Sequence, residues 1–213
     1  FRVAACCGLT LLPPAHTHAH AHLALVVLFK SGAAVAVCRQ EVVAGLAAAP
    51  PALLLLPVVA ALVAAAPVAL AALEAGTVTP STKYDCDGSF KLGNSYEYRC
   101  WKKTGHGSVD LHKAIKESCD VWFYRAGLET GIDRIASAAQ RLGLGQPTGF
   151  PFGGERAGLI PTRTWKKKRF GTSWYDGETV ISAIGQGFVL TTPLQLASMT
   201  AALANGGTVW KPQ

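Results

Sequence analysis

Between Glu41 and Glu74 no side chain carries charge: residues 42–73, 32 in all, are almost wholly Ala, Val, Leu and Pro. About 20 apolar residues cross a bilayer as a helix, so length alone admits a membrane segment. Pro50, Pro51, Pro57 and Pro67 interrupt the run, each removing a helix amide. Past Gly76 the apolar positions become periodic. Leu111, Ala114 and Ile115 behind Asp110 predict a helix capped by that aspartate. Asp120 is the expected cap of the next, from Val121 to about Leu128, with Gly131 as its stop. Ile135, Ala138, Ala139 and Leu142 share one face of a helix from about Asp133 to Leu142, closed by Gly143 and Gly145. The best-signalled helix begins at Thr192-Pro193-Leu194-Gln195: a threonine cap, a proline in the first turn and a glutamine three residues after the cap. It should run over 193–204 and stop at Asn205-Gly206-Gly207.

Extended structure is expected where periodicity fails. Thr77 to Thr82 reads as a turn, and Tyr84 to Trp101, with Gly88, Gly93 and Asn94, as short strands and loops. Val180 to Ile184 reads as a buried strand, Thr208 to Trp210 as the start of another, and Gly149 to Trp174 as a basic loop. No internal repeat is present. The 213 residues allow one domain of ordinary size, and the composition divides them into an apolar segment, 1–67, and a soluble-looking part, 68–213.

The net charge of +7 suits nucleic acid, anionic lipid or an acidic polymer, but no nucleic-acid-binding motif accompanies it, and nucleic acid is set aside. The Lys166-Lys167-Lys168-Arg169 run reads as a solvated face, with membrane or glycan contact as the alternative. Trp165, Phe170, Trp174 and Tyr175 read as packing for the loop, and His112 as a surface residue. His16, His18, His20 and His22 alternate with small residues, which is either low-complexity sequence or a metal-binding tract.

Two constellations carry chemistry. Ser118-Cys119-Asp120 interrupts a helical pattern; its plain reading is a helix break and cap. Cys86, Cys100, His106 and Cys119 are three thiols and an imidazole, a good donor set for zinc, although without the tight Cys-x-x-Cys spacing of zinc ribbons. A Cys86–Cys100 disulfide and buried free thiols are the alternatives.

From Val68 to Gln213 a series of blocks falls in one order: Ala72-Leu73-Glu74-Ala75-Gly76, Phe90-Lys91-Leu92-Gly93-Asn94, Trp101-Lys102-Lys103, Gly105-His106-Gly107, Ser118-Cys119-Asp120, Gly131-Ile132-Asp133-Arg134, Gly158-Leu159-Ile160-Pro161-Thr162, Trp165 to Phe170, and Gly185-Gln186-Gly187 through Ala197. This order resembles the transpeptidase domain of class B penicillin-binding proteins, of the cell-elongation type known as penicillin-binding protein 2. The resemblance implies an α/β (α+β) serine-transpeptidase fragment with an antiparallel sheet flanked by helices. It implies peptidoglycan cross-linking through an acyl-serine, on stem peptides ending in D-Ala-D-Ala that β-lactams mimic. It also implies an inner-membrane protein facing the periplasm, a glycan-polymerising partner and no organic cofactor.

The family works through Ser-x-x-Lys, Ser-x-Asn or Ser-x-Asp, and Lys-Thr-Gly. By resemblance Ser118 relays protons, Asp120 positions substrate, and Gln186 and Gly187 form a neighbouring wall of the same cleft. Some homologues carry a zinc site of Asp, His and Cys ligands near the second motif. Here Cys86, Cys100, His106 and Cys119 would hold it as a structural site, with Asp85 as the alternative to Cys86. The first motif is not found: counting back from Ala72-Leu73-Glu74, its serine position falls on Leu62 and its lysine position on Ala65. No serine in the sequence has a lysine three residues later, and Ser81-Thr82-Lys83 is misspaced, since helix neighbours two apart do not face each other. The third motif is expected beyond Trp210, and Lys103-Thr104-Gly105 reads as a decoy because it precedes the second. Residues 1–67 then read either as a membrane anchor or as GC-rich coding in a shifted frame. The chain as written is expected to form no acyl-enzyme, with a non-catalytic metal-stapled remnant and a small membrane-anchored binding protein as the other readings.

Overall fold

The computed structural model describes residues 65–93, 96–151 and 153–213, together with the backbone of two upstream strands. These strands, β1 (His22–Leu28) and β2 (Val35–Glu41), pair antiparallel with His22 opposite Glu41. The rest of 1–64, including the apolar run to Ala64, the histidine repeat to Ala21 and Leu62, lies outside the described residues. Ala65 begins the described part of α1, residues 65–74. Among the described residues no helix is long and apolar enough to cross a membrane.

Behind α1 come β3 (Tyr84–Cys86), β4 (Ser89–Leu92), β5 (Tyr96–Arg99) and β6 (Gly107–Val109). They form two antiparallel pairs, β3 with β6 and β4 with β5, in place of one continuous sheet. The helices follow: α2 (Leu111–Glu117), α3 (Asp120–Thr130), α4 (Ile132–Arg141), α5 (Arg163–Phe170), α6 (Asp176–Ser182) and α7 (Pro193–Ala204). Helix α3 is the axis of the core. Val121, Trp122, Phe123, Tyr124 and Ala126 are all buried on it, so it presents apolar surface on several sides. Alanines at 69, 71 and 72 put α1 into the same cluster. A second cluster joins α4 to α7 through Ala139, Leu142, Met199 and Leu203.

The expected caps at Asp110 and Thr192 are present. Asp110 Oδ1 accepts the Lys113 amide at 2.9 Å, Thr192 Oγ1 accepts the Gln195 amide at 3.2 Å, and Gln195 Oε1 accepts the Thr192 amide at 3.1 Å. Gln195 also reaches across the molecule: its Nε2 donates to the carbonyls of Gln146 and Ala157, tying α7 to the 146–157 loop. Three expectations need correction. Val180 to Ile184 is not a strand; Val180, Ile181 and Ser182 close α6. Five apolar residues do not reveal a period, and the helix is set upstream, where Glu178 accepts the Tyr175 amide at 2.8 Å. The basic loop contains α5, capped by Thr162 Oγ1 on the Trp165 amide and closed by Gly171 at φ +72°. Thr208 to Trp210 forms no strand.

Candidate functional site: the Ser118 turn and its thiol cluster

Helix α2 ends at Ser118 with φ 50° and ψ 50°, the only left-handed non-glycine among the described residues. That conformation costs an L-residue about 1 kcal/mol or more and persists only where neighbours impose it. The Cys119 amide donates to the Ala114 carbonyl at 3.0 Å, and α3 starts at the next residue. The turn therefore has two residues, Cys119 pointing into the core and Ser118 half-buried at the surface. Asp120 does not cap α3 as expected: the cap position is Cys119, with no side-chain bond. The Asp120 Oδ2 instead accepts the Trp101 amide at 2.9 Å. Burial pushes the Asp120 carboxyl up to about 6, against that amide and with Cys100 adding to the rise.

The second element of the site comes from β3 to β6. Strand alternation turns Cys86 inward and leaves Asp85 exposed, so Asp85 is not the alternative donor considered above. Cys100 follows β5, its amide on the Gly88 carbonyl at 2.9 Å. Gly88 and Gly105 lie where the two loops cross. Both have positive φ, and a Cβ on Gly105 would meet the Cys86 carbonyl. The glycine of Lys103-Thr104-Gly105 thus serves a turn beside Cys86.

Crossing the loops brings Cys86, Cys100, His106 and Cys119 together. One ligand atom from each lies within 4.8 Å of the others, and all four residues are buried. His106 Nδ1 is 3.6 Å from Cys86 Sγ and 3.5 Å from Cys100 Sγ. A tetrahedral ion with bonds of about 2.0–2.3 Å sets its nitrogen and sulfur ligands ~3.6 Å apart, so the donor set fits a closed four-coordinate metal. The three thiols are free. A hydrogen bond with Cys119 and the amides of Lys102, Asp120 and Val121 pull the Cys100 thiol down, while the same bond and burial push Cys119 up. Lys113 ties α2 to this cluster, its Nζ donating to the carbonyls of His106 at 2.6 Å and Ser108 at 3.1 Å.

The Gln186–Gly187 turn follows α6. It is exposed and closes α6, the Gln186 amide donating to the Ile181 carbonyl at 3.0 Å. The end of α6 meets α3 at Gly127, where an added Cβ would come 2.6 Å from Ala183 Cβ. Seven helical residues, about 10 Å, separate that crossing from Asp120. The Ser118 turn and the thiol cluster form one unit; no described contact joins Gln186 or Gly187 to it. Sequence reasoning missed Trp101 and Lys113 as parts of the site. Nothing in composition marks either, since each acts through its backbone neighbours.

A family model, the penicillin binding protein transpeptidase domain, matches residues 66–213. The chain belongs to the penicillin-binding transpeptidase family. The peptidoglycan D,D-transpeptidase MrdA of Haemophilus influenzae is 44% identical to it over 146 residues, 68% of this chain and 22% of that protein. A Pseudomonas aeruginosa PBP2 structure, in complex with WCK 5153, superposes with a TM-score of 0.67 at 44% identity, covering 70% of this chain and 34% of the other. PBP2 of Helicobacter pylori, solved in complex with MreC, gives 0.65 at 41% identity over 68% of this chain and 27% of its own. This chain thus spans between a fifth and a quarter of the length of the MrdA proteins it matches. Its mixed helices and antiparallel strands are those of a transpeptidase domain.

Proposed function

We propose that residues 68–213 supply the second-motif side of a peptidoglycan D,D-transpeptidase site, which cross-links stem peptides ending in D-Ala-D-Ala. The observation that carries this reading is the Ser118 turn: a single left-handed serine, half-exposed, one residue before a buried cysteine and two before Asp120. In this reading Ser118 relays a proton to or from the leaving group, and Asp120 orients the peptide backbone. We read Gln186 and Gly187, exposed beyond the end of α6, as further substrate contacts.

Cys86, Cys100, His106 and Cys119 are read as a structural zinc site. Bound zinc would neutralise the thiolates and staple β3, β5 and β6 to the start of α3. The protein groups themselves hold the loops together through the His106–thiol contacts and the Lys113 bonds. Metal analysis with thiol counting separates zinc from a Cys86–Cys100 disulfide, which would leave fewer titratable thiols and no metal. We further read the protein as one working at the periplasmic face of the inner membrane, where β-lactams would reach it, beside a scaffold partner such as the MreC of the H. pylori complex and a glycan polymerase.

A second reading is favoured by one sequence fact: no serine is followed by lysine three positions later. On that reading the chain is a metal-stapled, non-catalytic remnant of the fold. Fluorescent penicillin distinguishes the two. The chain itself should take no label, and label on any of its serines would refute the missing nucleophile. A chimera in which residues 68–213 replace the matching segment of H. influenzae MrdA should acylate, and Ser118→Ala in it should slow acylation at least tenfold. Equal labelling of both chimeras sinks the role assigned to Ser118.

A further inference from the structure

Trp101 is 63% exposed, yet both of its N–H groups are engaged. Its indole Nε1 donates to the carbonyls of Glu117 and Ser118, each at 3.0 Å, while its backbone amide holds Asp120. The last carbonyls of a helix have no partner within it. The Trp101 indole supplies one for α2, bridging the peptide just before the left-handed residue and the one just after it. On the inner side the free thiols of Cys100 and Cys119 both enter the cluster, within 4.8 Å of each other. Two dipeptides, Cys100-Trp101 and Cys119-Asp120, therefore lie zipped together, with the ring of Trp101 edge-on to His106 at 5.3 Å.

We propose that Trp101 is a positioning residue for Ser118: its forked indole bond and its amide hold the left-handed turn, so that the Cα–Cβ bond of Ser118 keeps one direction. Strain at a single left-handed residue is offset by the three hydrogen bonds made around it in this conformation. The same clamp joins the turn to the thiol cluster from outside, because Trp101 lies between Cys100 and His106 in the chain. The catalytic meaning of this inference rests on the reading of Ser118 as the second-motif serine; the clamp itself does not.

Two measurements on the full chain test it. Trp101 and Trp210 are similarly exposed, at 63% and 70%, so exposure alone predicts similar solvent exchange of their indole N–H protons. The clamp predicts exchange at Trp101 slower by about tenfold in ¹⁵N spectra, the signal being assigned by its loss in Trp101→Phe. Equal rates overturn the proposal. Trp101→Phe keeps a ring and removes the donor. Amide hydrogen exchange over residues 117–121 should rise about tenfold in it, with α4 and α7 unchanged and cobalt(II)–thiolate absorbance retained. No rise at 117–121, or an equal rise throughout the protein, overturns the positioning role. Absent cobalt absorbance in the wild-type chain, with the turn still protected, sinks the metal reading and leaves the clamp standing.

Discussion

Gly127 lies where α3 meets the end of α6 in close contact. A methyl group there would stand 2.6 Å from Ala183 Cβ, where carbon atoms normally sit about 3.5–4.0 Å apart. Both groups are rigidly attached to helices, so α3 and α6 would have to separate. Overpacking of this kind costs roughly 1–3 kcal/mol, offset by up to about 1 kcal/mol of helix propensity gained by alanine. Gly127→Ala is therefore expected to lower the urea midpoint, and a raised midpoint would show that α6 can slide freely. The thiol cluster gives a second prediction at this scale. Cys86→Ala should lose bound metal, whereas Asp85→Ala, one position along the same strand but exposed, should keep it; loss in both would mean the strand is set differently. Asp85 and Cys86 could not be separated by sequence alone, because either residue type ligates metals. Only the pairing of β3 with β6 decides which of the two faces inward.

At the scale of elements, α5 and α6 are coupled by a buried ion pair. Lys166, 4% exposed within a run of four basic residues, forms a salt bridge to Glu178 and stands 4.2 Å from the centre of the Tyr175 ring. Glu178 in turn holds the Tyr175 amide that begins α6. The basic run is a solvated face at Lys167, Lys168 and Arg169, as expected, but not at Lys166. Replacing Lys166 with methionine strands the Glu178 carboxylate and should cost roughly 3 kcal/mol in chemical denaturation, whereas Lys167→Met should stay within about 0.5 kcal/mol. Equal effects would mean that the pair adds nothing. The packing expected of Trp165 and Trp174 holds, since both rings gather around Phe188, with centroids 5.2 and 6.5 Å away. Phe170 joins them at 5.6 Å while remaining half-exposed.

Across the whole molecule, the thiol cluster is where three separated strands meet the central helix. A metal bound there stabilises the folded chain by mass action. At a free concentration about 100 times the dissociation constant the gain is ~2.7 kcal/mol, or about 5–10 °C in Tm for a domain of this size. Chelation should lower the melting temperature by that order, and restoring zinc should recover it. An unchanged Tm, with metal verified absent and then present, would remove the staple.

The sequence by itself determined the family, the caps at Asp110 and Thr192, the stop at Gly131 and the four residues that cluster, because these depend on local spacing and residue chemistry. The tertiary structure alone decided the rest. Val180 to Ile184 became a helix end because α6 packs on α3, a contact that no five-residue window contains. Asp120 turned from a helix cap into the partner of Trp101 because the bend after β5, 19 residues earlier, runs beside it. Lys166 was drawn inward by a carboxylate 12 residues away on another helix. Each of these turns on a long-range contact, which residue order encodes only through the packing of the whole domain.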